Sequence, residues 1–246
     1  MSRRHAVVTG GGKGIGRAIA RRLAADGFAV SVLGRDTAAL DATAALMPAA
    51  ISAVACNVGD EASVAAVFAA IGQVDVLVNN AGVSMSAPTG RTSIADWETS
   101  LRVNATGVFL CTRAVIDPMR ARGWGRIVTV ASVSSHHGAP YISAYAASKH
   151  AALGFTRSVA AELRRSGVTA NCVCPGYVRS EMTDRTIANI VSRTDRSYDA
   201  AERALNGALG RLIEPEEVAA AVAYLVSESA AAINGQSIVI DGGESV

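Results

Sequence analysis

The chain's 246 residues suffice for one large domain or two small ones, and 50% hydrophobic content with only 4% aromatics describes a globular core of small and branched side chains. A formal net charge of +2 gives no electrostatic ground for binding nucleic acid or an anionic membrane. The apolar run near the start lasts only about four residues, too short for a signal-peptide core. No segment is long and uncharged enough to span a bilayer, and Cys56, Cys111, Cys172 and Cys174 lack zinc-ligand spacing, so a cytoplasmic chain with buried, unliganded thiols is expected.

Residues 6–9 read as a short buried strand, glycines from Gly10 to Gly16 break it, and residues 17–25 continue as an amphipathic helix. Strand, glycine turn and helix form the first half of a βαβ unit, whose glycines let the backbone approach a pyrophosphate at the free amides of the helix start. The spacing Gly10, Gly14, Gly16 departs from Gly-x-Gly-x-x-Gly, so by itself the turn also admits a plain glycine-rich loop. A second strand over 29–33 runs into Gly34-Arg35-Asp36, about twenty residues past the turn, where a dinucleotide's ribose is handled. Asp36 is either that ribose acid or the cap of the next helix.

A strand at 51–56, a helix at 63–71 and a strand at 74–79 sustain the alternation, the last running into Asn79-Asn80-Ala81-Gly82. The pattern predicts a single-domain α/β fold over 1–246, a Rossmann-type doubly wound parallel sheet of about seven strands with helices on both faces. A long helical run extends from 93 to 122 with Asn104 inside it, where asparagine is unfavourable unless its amide has something to hold. A strand at 126–131 leads to Ser132, a helix from about 144 to 165 carries Tyr145, and a strand at 168–174 stops at Pro175-Gly176. Residues 181–209 are polar, arginine-rich and long for a connection, which suits a substrate lid. Pro215 and neighbouring acids then start a helix, and 237–241 forms the last strand.

Tyr145 and Lys149 are four apart, so on a helix they share a face one turn apart, with Ser132 arriving from the end of the preceding strand. A phenol is a poor acid or base at neutral pH, and a nearby ammonium favours its ionised form. Only two of the 23 basic residues are lysines, Lys13 and Lys149, so with five tyrosines coincidence would give a Tyr-x-x-x-Lys in roughly one such chain in twenty-five. A chain that writes its surface cations as arginine has kept a compact ammonium here.

With these pieces in order, the sequence resembles the short-chain dehydrogenase/reductase family over essentially its whole length. Thr9-Gly10-x-x-x-Gly14-Ile15-Gly16 is similar to that family's cofactor loop, Asn79-Asn80-Ala81-Gly82 to its fourth-strand motif, and Asn104, Ser132, Tyr145 and Lys149 to its catalytic tetrad; Pro175-Gly176 and Asp241-Gly242-Gly243 also fall where the family has them. Asn57-Val58 departs from it, standing where the family has aspartate before the hydrophobic residue near the adenine. The resemblance implies an enzyme that interconverts a ketone and a secondary alcohol with NADPH or NADH and needs no metal. Tyr145 is the expected proton donor and Ser132 the partner of the developing alkoxide. Lys149 lowers the phenol pKa and holds the nicotinamide ribose, and Asn104 anchors a water that links Lys149 to solvent. The implied cofactor contacts are Gly10, Gly12, Lys13, Gly14, Ile15, Gly16, Arg35, Asn57, Val58, Asn80, Ala81, Gly82, Tyr145, Lys149, Pro175, Gly176, Val178 and Ser180.

Within the family, the Tyr145 helix and the 173–178 stretch look most like 3-oxoacyl-thioester reductases, on acyl carrier protein or coenzyme A, and like polyketide-type ketoreductases. The longer lid keeps a cyclic, aromatic or hydroxy-acid alcohol as the alternative, and a non-catalytic dinucleotide-binding protein as a further one. By the family pattern NAD-preferring members carry an acid where this chain has Gly34. With Arg35 next to it and Lys13 in the glycine turn, NADP is the expected cofactor, and NAD the alternative if Asp36 holds the ribose. His136 and His137, in the loop after Ser132, either touch substrate or are solvated. A homotetramer is expected from the family and from apolar surplus in Val108-Phe109-Leu110 and Leu153-Gly154-Phe155.

Overall fold

The structure, a computed structural model, describes residues 3–245. The chain alternates as the hydrophobic pattern predicts: β1 (His5–Thr9), α1 (Gly14–Ala25), β2 (Ala29–Gly34), α2 (Thr37–Ala44), β3 (Ile51–Ala55), α3 (Glu61–Ile71), β4 (Val76–Asn79), α4 (Ile94–Leu101), α5 (Gly107–Arg122), β5 (Gly125–Val130), α6 (Ser143–Glu162), β6 (Val168–Pro175), α7 (Glu181–Arg193), α8 (Tyr198–Arg203), α9 (Pro215–Val226) and β7 (Ser237–Ile240). The strands form one sheet in the order β3-β2-β1-β4-β5-β6-β7, and every pairing is parallel. The order reverses between β1 and β4, so connections leave their carboxyl ends in opposite directions and open a crevice there.

Both faces of the sheet are covered, which explains why the strands read as unbroken apolar runs. Ala6, Val8, Val30, Val32 and Val128 point to the side packed by α1 and α9. Val7, Leu33, Leu77 and Ile127 point to the side packed by α3, α5 and α6. This is the two-residue periodicity of a strand, with the neighbouring side chain on the other face. Each fully buried valine, leucine or isoleucine contributes about 1.5–3 kcal/mol, so the two layers hold the sheet edges that carry the site. Among the described residues no helix is long and apolar enough to cross a membrane.

Helix starts divide into two kinds. Asp36, Asp60, Ser93, Ser180 and Ser197 each cap the helix that follows by accepting backbone N–H groups, and the Glu217 carboxylate accepts the Glu214 N–H at the start of α9. Helices α1, α5 and α6 have neither a side-chain cap nor an acid in the first turn, and of these α1, with Lys13 at its N-cap, is the one that starts from the glycine turn.

Candidate active site

The glycine turn lies at the carboxyl end of β1, over that uncapped start of α1. Gly10 takes φ +65, and a Cβ on it would meet Ala81 Cα at 2.8 Å; on Gly16 a Cβ would stand 2.2 Å from the Gly10 carbonyl oxygen. The turn is latched to β4 by two polar side chains. Thr9 Oγ1 accepts the N–H groups of Asn80 and Ala81, both at 3.0 Å, and Asn80 Nδ2 donates to the carbonyls of Thr9 (2.9 Å) and Gly10 (3.1 Å). Free amides, a helix dipole and no competing acid in the first turn make a seat that fits a pyrophosphate.

The other expected cofactor contacts gather around this turn, at the carboxyl ends of neighbouring strands. After β2, Arg35 is exposed, while Asp36 caps α2 through the Ala39 N–H (3.1 Å) and pairs with Lys13 (3.2 Å). The cap reading of Asp36 is therefore realised. After β3, the exposed Asn57 turns its Oδ1 to its own Gly59 N–H (3.2 Å), and Val58 is buried in the core beneath α5. Pro175 ends β6, and Gly176 and Val178 lead on to Ser180, which caps α7.

The residues of the expected tetrad come from three elements. The run expected from 93 to 122 is helical from Ile94, Ser93 being the cap, but a π turn over Arg102–Thr106 separates α4 from α5 and holds Asn104. The amide of Asn104 makes three hydrogen bonds: Oδ1 accepts the Val83 N–H (2.8 Å), and Nδ2 donates to the Val83 carbonyl (2.9 Å) and to Ser148 Oγ (2.9 Å). Ser148 Oγ in turn donates to the Tyr145 carbonyl at 2.7 Å. Ser148 thus ties the π turn to the first turns of α6. Sequence reasoning assigned it no role; its one legible sign is a hydroxyl three residues after Tyr145, on an otherwise alanine-rich stretch.

Ser132 follows β5 and is 6% exposed. Its Oγ accepts the Ser134 N–H at 3.1 Å, so its own O–H is free to donate forwards. Tyr145 is half-buried, and burial pushes its phenol above the ordinary value, with the Ser132 hydroxyl acting in the opposite sense. Lys149 is 6% exposed; Nζ donates to the Val130 carbonyl at 2.8 Å and lies 5.8 Å from the centre of the Tyr145 ring. Burial lowers its pKa to about 8. The expected depression of the phenol by Lys149 is not what this arrangement gives: desolvation dominates both groups, raising the acid's pKa and lowering the ammonium's. A Cβ on Gly82 would lie 3.3 Å from Asn104 Oδ1 and 3.6 Å from Lys149 Nζ, so both polar atoms border the same small space.

Four cysteines and two histidines lie outside the tetrad, Cys174 taking a hydrogen bond from the Ser132 backbone. All four cysteines are free and buried, and burial pushes Cys111 and Cys172 up to about 12 and Cys174 up to about 11. His137 is exposed and His136 partly so; burial and the nearby Arg157 hold the His136 pKa down.

A profile of the short chain dehydrogenase family matches residues 4–190. The 3-oxoacyl-[acyl-carrier-protein] reductase MabA of Mycobacterium bovis is 39% identical over 249 residues, covering 98% of this chain and 92% of that protein. Among solved structures, a single-substitution variant of the actinorhodin polyketide ketoreductase with NADPH superposes with a TM-score of 0.94 at 36% identity, covering 98% of this chain and 97% of that one. Levodione reductase superposes with a TM-score of 0.91 at 35% identity, over 98% and 97% of the two chains.

Proposed function

Since this chain belongs to the short-chain dehydrogenase family and is an NAD(P)H-dependent oxidoreductase, we propose that it reduces a 3-oxoacyl thioester or a related ketone, with NADPH preferred. The observation that carries the reading is the buried constellation of Ser132, Tyr145 and Lys149 at the carboxyl edge of the sheet, beside a glycine turn that fits a pyrophosphate. That turn and Lys149 would hold the dinucleotide, which would supply the hydride when bound.

The remaining chemistry belongs to the side chains. Tyr145 Oη donates its proton to the carbonyl oxygen as that oxygen becomes an alkoxide. Ser132, whose Oγ already accepts the Ser134 N–H, directs its hydroxyl proton to the same oxygen and stabilises the charge developing there. One of the three Lys149 N–H groups is spent on the Val130 carbonyl, which leaves two to hold a ribose and to face the space under Gly82. Asn104 Oδ1 borders that space and has a lone pair beyond the one given to Val83, so it can hold a water that returns a proton to Lys149 and Tyr145.

The mouth of the site is lined by 83–92, by the loop before α6 and by α7, the first helix of the expected lid over 181–209. Ala87 N–H bonds the Tyr141 carbonyl at 2.8 Å and Arg193 reaches the Ser86 carbonyl at 3.4 Å. Tyr141 and Tyr177 are 63% and 44% exposed, and these flat apolar faces favour, as a second reading, a cyclic or aromatic ketone. The deciding experiment follows NADPH oxidation with acetoacetyl-coenzyme A, a cyclic diketone and simple ketones. Turnover of the thioester at the highest kcat/KM supports the first reading, preference for the cyclic diketone the second, and no turnover of any ketone or alcohol opposes both.

A further inference from the structure

Lys13, the single cation of the glycine turn, is shared by two carboxylates from different elements: Asp36 Oδ2 at 3.2 Å and Glu181 Oε2 at 3.1 Å. Asp36 stands at the position that handles the ribose 2′ end, so its partner Lys13 is at that end too. Asp36 is held in place, because its Oδ1 caps α2 through the Ala39 N–H. Glu181 is not. It is the first residue of α7, it is about half exposed, and Arg185 waits one turn on, 3.8 Å from the same carboxylate. The start of α7 itself is placed against the turn, since a Cβ on Gly14 would lie 3.3 Å from Ser180 Cβ. Lys13 and Arg35 stand here against Asp36 and Glu181, with Arg185 beside Glu181 and Arg17 donating to the Gly12 carbonyl, so Glu181 occupies an ammonium at an end that would otherwise favour a 2′-phosphate.

We infer that Glu181 is a cofactor-specificity residue acting through Lys13: it satisfies the ammonium until a 2′-phosphate displaces it and turns its carboxylate to Arg185. The lid helix thereby contributes a residue to the choice between the two dinucleotides. The displacement trades an exposed ion pair, which is worth little, for a charge-assisted bond to a dianion. The inference rests on the NADPH reading above.

The test is calorimetric, with the full chain and two probes, adenosine 2′,5′-bisphosphate and adenosine 5′-monophosphate. Wild type, Glu181→Gln, Lys13→Ala and the double variant are compared. Glu181→Gln is expected to tighten the bisphosphate about fivefold and to leave the monophosphate within about twofold, the size of an exposed charge effect. In the Lys13→Ala background the same substitution should have no effect. Unchanged selectivity in Glu181→Gln, equal tightening of both probes, or the same gain without Lys13 overturns the inference while leaving the NADPH reading intact. A wild type that binds the monophosphate as tightly as the bisphosphate overturns the NADPH reading instead.

Discussion

Keeping Lys149 charged at 6% exposure is unfavourable, and the pKa of about 8 measures by how much. The sign follows directly: a folded pKa below the ordinary 10.5 means that the folded chain binds fewer protons than the unfolded chain between about pH 8 and 10.5. Stability therefore rises with pH through that window, and the full penalty, about 3 kcal/mol, is present below it. Lys149→Met should raise Tm by about 5 °C at pH 7 even after losing the Val130 hydrogen bond, and should abolish turnover; an unchanged or lower Tm in a calorimetric scan would contradict the burial argument. Because the phenol pKa is raised, the acid stays protonated where the lysine does not. The kcat/KM for ketone reduction should thus fall on the alkaline side with an apparent pKa near 8, set by Lys149. A limb beginning only above the ordinary phenol range would assign it to Tyr145. Tyr145→Phe removes the acid and keeps the ring, so kcat should drop about 10²–10⁴-fold while calorimetry still detects dinucleotide binding.

At the scale of elements, the joint between β1 and α1 is built by close approach. Gly16 faces the Gly10 carbonyl so tightly that any Cβ would stand 2.2 Å from that oxygen, and Asn80 Nδ2 would lie at 2.5 Å. Gly16→Ala must therefore open the turn and break the Asn80 latch. The expected result is loss of dinucleotide binding in a calorimetric titration, with the circular-dichroism spectrum of the helices kept; binding within about twofold of wild type would show that the turn can yield. The π turn between α4 and α5 has a comparable logic. A helix interior disfavours asparagine, and here the wider turn presents Asn104 to Val83 and Ser148, three hydrogen bonds in all. The latch and the π turn act on opposite sides of Gly82: one sets the glycine turn, the other the start of α6.

For the whole molecule, the outward face of α4, α5 and α6 bears apolar side chains that no other element covers. Ile94 is 70% exposed, Trp97 37% and Phe109 40%, and Phe109 meets Phe155 edge to face with ring centres 5.9 Å apart. Val108, Leu110 and Leu153 from the same helices are buried inwards, so the apolar surplus in those stretches divides between the core and this face. Together with the family's habit, such a patch supports a homotetramer. Light scattering at micromolar concentration should give about four times the mass of one chain, and Phe109→Glu should lower it to that of a dimer or monomer. A monomeric wild type would refute the tetramer.

Patterns that repeat within one element were legible in the amino-acid order. The two-sided apolar runs predict a parallel sheet sandwiched by helices, and the spacing of Tyr145 and Lys149 places both on one turn of α6, because helix and strand periodicities are local. Asp36 admitted two readings, since a cap and a ribose ligand use the same residue type at the same place; the fold shows the cap through Oδ1, with β2 ending at Gly34 and α2 beginning at Thr37, and leaves Oδ2 facing Lys13. What only the tertiary structure decided depends on groups distant in the chain and on burial. The partners of Asn104 lie 21 and 44 residues away, and Lys13 meets Glu181 across 168. The upward shift of the Tyr145 phenol could not be read from an adjacent lysine, because desolvation is a property of the packed interior: the same layers that bring the ammonium close also remove the water that would have made its charge easy to keep.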